Sequence, residues 1–240
     1  MKIKLFTKQA RKVLPLKHCG AVIVAAGTAS RMDGIDKVMA ELDGESMILR
    51  TARTFEQCDA IREIVIVTRE DLISKVTSIC SGLTKLRAVV VGGRDRQDSV
   101  HAGINALSRN AKLVAVHDGA RPLITWEVID RTVRAAHTYG AAAPGVAVKD
   151  TIKIVAGGVV AATPDRNKLR AIQTPQVFDI DILRAALKKA KKEKTTVTDD
   201  CSAVENMGMS VKIVTGDERN IKVTTPMDLK VAQMLLEEQK

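Results

Sequence analysis

The chain has 240 residues, 45% of them hydrophobic and only five aromatic, with a formal net charge of +10. That length suits one well-buried aliphatic core with a small appendage, and the scarcity of rings argues against single-stranded nucleic-acid binding, which stacks bases on aromatic side chains. Six cations and no acid within residues 1–17 carry much of the charge, and the mild excess left over suits a small phosphorylated partner as well as a polymer. Four cysteines, Cys19, Cys58, Cys80 and Cys201, form no CxxC pair, so neither a zinc site nor a disulfide framework is signalled and reduced thiols are expected. No apolar run approaches the roughly 20 residues of a membrane span, and residues 1–17 lack the apolar centre of a secretory signal. A cytoplasmic protein that does not bind membranes is the expectation.

Residues 1–19 read as a basic N-terminal extension. Ala21 to Ala26 is a short run rich in Val and Ile, the pattern of a buried parallel strand. It ends at Gly27, and Thr28 to Gly34 is small and polar, with Arg31 and Lys37 as nearby cations. Such a loop can turn several N–H groups toward one anion, so it reads as a phosphate site. An ordinary strand-to-helix turn with two solvated cations fits these residues equally well. The loop matches neither GxGxxG nor GxxxxGK[ST].

Ser46 is expected to cap a helix running to about Cys58, after a turn at Asp43-Gly44. Glu63 to Thr68 and Ala88 to Val91 read as strands around a helix from Arg69 to Ile79, and this spacing implies crossover units in a mostly parallel sheet. The strand ending at Val91 runs into Gly92-Gly93-Arg94-Asp95-Arg96-Gln97-Asp98-Ser99, with a helix expected from Ser99. Leu113 to Val116 ends in His117-Asp118-Gly119-Ala120-Arg121-Pro122. Three polar clusters at the carboxyl ends of strands point to one shared crevice, where open α/β sheets bind ligands.

Ala141 to Val146 is a fifth strand. Thr151 to Val155 and Val159 to Thr163 then form a hairpin signal across Ala156-Gly157-Gly158. An isolated hairpin is marginal in water and needs a partner surface, so the reading is an arm, residues 147–170, that projects and packs on a second subunit; folding back on its own domain is the alternative. Residues 20–146 and 171–240 would form the main domain. Ile180 to Lys192 is an amphipathic helix whose lysine-rich end reads as solvated. Thr198-Asp199-Asp200 caps a further helix, Val211 to Thr215 is the last strand, and Pro226 opens the final helix.

No nucleophile–base–orienter pattern or clustered metal ligands occur, which disfavours covalent serine hydrolysis. Glycine loops and cations around one sheet edge suit transfer chemistry on phosphates, which demands positioning and charge neutralisation, with Mg²⁺ helping. An attacking phosphate monoester is already ionised near neutral pH and needs no general base.

AVIVAAGTASRM with Lys37, VVVGGRDRQDSV, VAVHDGARP, VKDTIK, TPDRNKL, IQTPQ, TDDCSAVE and NIKVTTPMDL together resemble the 2-C-methyl-D-erythritol 4-phosphate cytidylyltransferase family, from about residue 20 onward. The resemblance implies an α/β, Rossmann-like nucleotidyltransferase fold, a mostly parallel mixed sheet with a projecting β-hairpin arm, and a homodimer clasped by the arms. It implies CMP transfer from CTP to a polyol phosphate, 2-C-methyl-D-erythritol 4-phosphate, in non-mevalonate isoprenoid biosynthesis. Mg²⁺ is expected mainly on the CTP phosphates, with no protein-built metal site. Carried over, Arg31, Lys37 and Lys222 are the catalytic cations. Ala25, Ala26, Gly27, Ala29, Gly93, Ser99 and Asp118 would contact nucleotide. Asp118, Arg121, Thr151, Arg166, Thr174 and Thr198 would contact the acceptor, with Thr151 and Arg166 reaching in from the partner. The chain departs from the family at Ala29, where Gly is common, at Asp36, where Pro is, and in a shorter Arg31-to-Lys37 interval. The competing readings are a cytidylyltransferase for ribitol 5-phosphate or a related polyol phosphate, and a non-catalytic basic nucleic-acid or regulatory binding protein; the few aromatics disfavour the nucleic-acid reading.

Overall fold

The computed structural model describes residues 16–27 and 37–238. Strand β1 (Cys19–Val24) is followed by a tight hairpin, β2 (Glu41–Leu42) and β3 (Glu45–Ser46), and then by α1 (Met47–Gln57). β4 (Ile61–Thr68), α2 (Ile73–Ile79), β5 (Leu86–Val91), α3 (Arg96–Ala106) and β6 (Leu113–Asp118) continue the alternation through α4 (Trp126–Tyr139) to β7 (Ala141–Ala147). β1 pairs in parallel with β4 on one side and β6 on the other, and β5 extends the sheet beyond β4.

The apolar runs are continuous because both faces of these strands are covered. Ala21, Ile23, Ile64, Ile66, Leu113 and Ala115 point into one core with residues of α1, α2 and α4. The intervening Val22, Val65, Val67, Val114 and Val116 point into a second core on the opposite face, with Val100 and Ile104 of α3. Cys19 is fully buried in β1, and Lys17 and His18 pair with Asp179 and Glu63. The sheet therefore begins inside the stretch assigned to the extension.

After β7 comes a hairpin, β8 (Ile154–Ala156) and β9 (Val159–Ala162), then β10 (Arg170–Ile172), β11 (Gln176–Asp179), α5 (Ile180–Glu193), α6 (Asp200–Glu205), β12 (Lys212–Thr215) and α7 (Pro226–Glu237). β11 lies antiparallel between β6 and β7, β10 is antiparallel to β7, and β12 runs parallel to β7. The sequence reading missed β10 and β11, which are short and separated by Pro175. β10 reads Arg-Ala-Ile and β11 Gln-Val-Phe-Asp, with the buried Gln176 opening β11, so neither is long or apolar enough to show the pattern of a strand.

Among the described residues the hairpin pairs only with itself, and residues 149–163 are all exposed. Gly157 and Gly158 have φ of +58° and +81°, the two-residue turn that a tight hairpin requires. The alternative of a ribbon folded onto its own domain is not what is observed. The strands are shorter than expected, and Ala156 belongs to β8.

Two caps differ from expectation. α3 begins at Arg96, because the Asp95 carboxylate accepts from the Asp98 N–H; Ser99 lies inside the first turns and does not cap the helix. Ser46 precedes α1 but makes no side-chain cap bond. α6 and α7 have full capping boxes, from Asp199 with Ser202 and from Thr225 with Asp228. Among the described residues no helix is long and apolar enough to cross a membrane.

Candidate active site

The carboxyl ends of β1, β4, β5 and β6 open onto one crevice of about 530 Å³. Its walls are Val24 to Gly27, Thr68 to Glu70, Val91 to Arg96 with Ser99, and Asp118 with Ala120; Val38 and Lys222 complete the lining. This is the edge where parallel strands leave N–H groups and helix N-termini facing one space.

The loop after β5 is drawn tightly onto the loop after β1. A Cβ at Gly92 would lie 2.4 Å from the Ala26 Cβ and 2.8 Å from the Ser99 Oγ, so only glycine fits there. Ser99 is buried: its hydroxyl donates to the Asp95 carbonyl at 2.9 Å and accepts from the Gly93 N–H at 3.1 Å. Ser99 thereby shapes the glycine loop from behind.

Asp118, the last residue of β6, gathers the cations. Its Oδ2 lies 2.8 Å from Lys222 Nζ and 4.0 Å from Arg121 Nε, and its Oδ1 lies 3.5 Å from an Arg96 nitrogen. Burial pushes this carboxyl up, but Arg96 and Lys222 outweigh it and hold the group down at about 2. Arg96 also bonds Asp200 Oδ2 at 2.7 Å, and Asp200 is almost wholly buried at the start of α6. Burial opposes the charge on Arg96, yet Asp200 and Asp118 raise its affinity for the proton; burial raises Asp200 in turn, against the pull of Arg96. Arg96 and Asp200 went unassigned at the sequence level. Both stood inside quoted motifs, GGRDRQDSV and TDDCSAVE, but 104 positions separate them.

A buried polar frame stands behind Asp118. His117 is fully buried, and burial lowers its imidazole to about 4, so the ring is neutral. It contacts the Thr174 hydroxyl and the Arg121 carbonyl, and Asn220 contacts the Thr174 carbonyl.

Ala25, Ala26, Gly27, Gly93, Ser99, Asp118 and Lys222 all line the crevice. Arg121 lies beside them, its guanidinium bonded to the Asn220 carbonyl at 2.7 Å. Thr174 is 4% exposed, and its hydroxyl is taken up by His117 and the Asp118 N–H. Thr151, Arg166 and Thr198 are exposed and do not line the crevice of this one chain; Arg166 bonds the Lys149 carbonyl. Arg31, Ala29 and Asp36 lie outside the described residues. Lys37 opens the short turn Lys37–Met39, and its side chain also lies outside the description.

A mostly parallel sheet with helices on both faces, and a glycine-edged, cation-lined crevice at its carboxyl rim, defines a Rossmann-like nucleotidyltransferase. The sequence profile described as 2-C-methyl-D-erythritol 4-phosphate cytidylyltransferase matches residues 19–238. Proteins of that name from Caldanaerobacter subterraneus and Symbiobacterium thermophilum are each 42% identical to the chain, covering 91% of it and 99% and 92% of themselves. A crystal structure described as 4-diphosphocytidyl-2C-methyl-D-erythritol synthase, from Anaerococcus prevotii, superimposes with a TM-score of 0.84 at 33% identity, over 92% of this chain and 96% of that one. The Thermus thermophilus cytidylyltransferase gives 0.74 at 28% identity, over 92% and 99%. The chain belongs to the 2-C-methyl-D-erythritol 4-phosphate cytidylyltransferase family.

Proposed function

We propose that the crevice carries out the family's reaction, transfer of CMP from CTP to 2-C-methyl-D-erythritol 4-phosphate in the non-mevalonate isoprenoid pathway. An oxygen of the acceptor's phosphate attacks the α-phosphorus of CTP. The bond to the bridging oxygen breaks, pyrophosphate leaves, and 4-diphosphocytidyl-2-C-methyl-D-erythritol is formed. The observation that carries this reading is the convergence of Lys222, Arg96 and Arg121 on the ionised Asp118 beside the glycine loops.

The roles follow from charge. Ala25, Ala26, Gly27, Ala29, Gly93 and Ser99 receive the nucleotide, with close backbone approach where side chains are small. Arg31, Lys37 and Lys222 stabilise the negative charge that builds on the pentacoordinate phosphorus. Asp118 holds Lys222 at the rim and, with Arg121, faces the acceptor. Thr174 and Thr198 belong to the acceptor's side, Thr174 from behind the surface.

Among the described residues no three His, Cys, Asp or Glu side chains converge as a metal site. Asp118 is an ionised hard oxygen donor at the crevice, which fits Mg²⁺ held mainly by the triphosphate. Bound there, Mg²⁺ would neutralise charge on the phosphates.

The segment between β7 and β10, with its hairpin, serves as the arm of a homodimer, and the central sheet with its helices, from Cys19 on, as the catalytic body. Ile154, Val155, Val159 and Val160 are each more than half exposed on a hairpin whose strands pair only with each other among the described residues, an apolar surface suited to a second copy of the chain. Thr151 and Arg166 would then serve the partner's acceptor site. A cytoplasmic location belongs to the same reading.

Pyrophosphate release from CTP and Mg²⁺ tests the reaction, with methylerythritol phosphate and ribitol 5-phosphate as rival acceptors. Release with the former and little with the latter is expected; the reverse preference, or none with either, would overturn it.

A further inference from the structure

His117 is absorbed by none of the roles above, yet its ring closes a circuit. The Arg121 carbonyl can only accept, so the 3.3 Å contact from His117 Nε2 puts the ring's proton on that nitrogen. Nδ1 of the neutral ring is then an acceptor, and the Thr174 hydroxyl donates to it across 3.0 Å. The Thr174 carbonyl accepts from Asn220 Nδ2 at 3.0 Å, and the Asn220 carbonyl accepts from the Arg121 guanidinium at 2.7 Å. Arg121 carries the carbonyl on which the circuit began. The Asp118 N–H donates into the same Thr174 hydroxyl at 3.1 Å, and Lys222 stands two residues beyond Asn220.

From this closed ring we propose that His117 is a positioning residue: it locks the loop after β6 so that the Arg121 guanidinium and the Asp118 carboxylate face the acceptor's phosphate together. Three segments distant in sequence meet in the ring, and all four members have side chains wholly or largely withdrawn from water. Arg121 Nε and Asn220 Oδ1 are buried without a hydrogen-bond partner among the described residues, but each link of the ring still favours one geometry, because breaking it strands a further polar group. The neutrality of the imidazole is consistent with it, since the ring's one proton goes to the Arg121 carbonyl and leaves Nδ1 as the acceptor for the Thr174 hydroxyl.

The proposal rests on the acceptor role given to Arg121 above, and its test separates the two. His117→Phe keeps a ring against Phe55, 5.0 Å away, and removes both links; His117→Gln retains a donor and an acceptor. His117→Phe is expected to raise the acceptor KM about tenfold, the effect of about 1.4 kcal/mol, while the CTP KM stays within about twofold, and His117→Gln to recover most of the loss. A folded His117→Phe protein with the parent's acceptor KM and kcat would overturn the proposal. Imidazole nitrogen NMR of the parent decides the ring without any assay: an Nε2–H tautomer supports it, an Nδ1–H tautomer overturns it. If the parent itself releases no pyrophosphate, the functional reading has failed, and the tautomer still decides the ring.

Discussion

Lys222 Nζ lies 2.8 Å from Asp118 Oδ2, and this pair joins the loop before α7 to the end of β6 across the mouth of the crevice. Lys222 is 43% exposed on its side chain and Asp118 only 13%, so the cation reaches toward solvent from a fixed anionic anchor. A charge held this way is ready for phosphate before phosphate arrives.

Lys222→Ala should therefore lower kcat far more than it weakens CTP binding, by roughly a hundredfold, because the charge acts chiefly in the transition state. Arg31→Ala and Lys37→Ala should behave alike. Pyrophosphate release and nucleotide titration measure the two quantities; equal losses in both would remove these cations from the chemistry.

Arg96→Ala should destabilise the fold as well as slow the enzyme, since it leaves Asp200 buried without its partner. Arg96 is 31% exposed, so a loss of about 2 kcal/mol is expected, below the roughly 3–5 kcal/mol for breaking a fully buried pair. Adding Asp200→Asn to the same chain should return part of that stability in urea unfolding. No recovery would mean that the pair is not where the energy lies.

Stability should fall as pH drops from about 6.5 toward 4. His117 is held neutral down to about 4 when folded, against 6.5 in the ordinary group. The unfolded chain thus binds more protons in that window, stability rises with pH there, and up to about 3 kcal/mol is lost on acidification. Asp118 adds a second loss with the same sign between 3.8 and about 2. Urea midpoints against pH should show the first decline in the parent, and His117→Gln should flatten it.

Replacing Val155 and Val160 by Asp should give a folded monomer in sedimentation, because the arm's apolar surface is the proposed contact. If the arms cross between subunits, mixing inactive Arg166→Ala and Lys37→Ala proteins should restore activity in hybrid dimers. Dimers that persist in the double Asp variant would place the contact elsewhere.

Much of this was legible along the chain. The alternation of apolar runs with helical patterns specified the parallel sheet, since strands buried on both faces need no polar residue. The glycine loops after β1 and β5 and the HDGAR turn after β6 stood at strand ends, which is where such a sheet binds ligands. Cap chemistry was harder to read: Asp95 outcompeted Ser99 for the start of α3, a choice set by which side chain reaches the free N–H groups.

What the sequence determined by itself was local: which runs form strands, where glycine admits a close approach, and which family the ordered motifs belong to. The tertiary structure alone decided the pairings. Arg96 with Asp200, Lys222 with Asp118, and the ring through His117, Thr174, Asn220 and Arg121 each join segments far apart in the chain. Their residue types carry no periodic signal, because a buried polar group is selected by the one partner it meets in space. The isolation of the arm was likewise decided in three dimensions, since an apolar hairpin reads the same whether its cover comes from its own domain or from elsewhere.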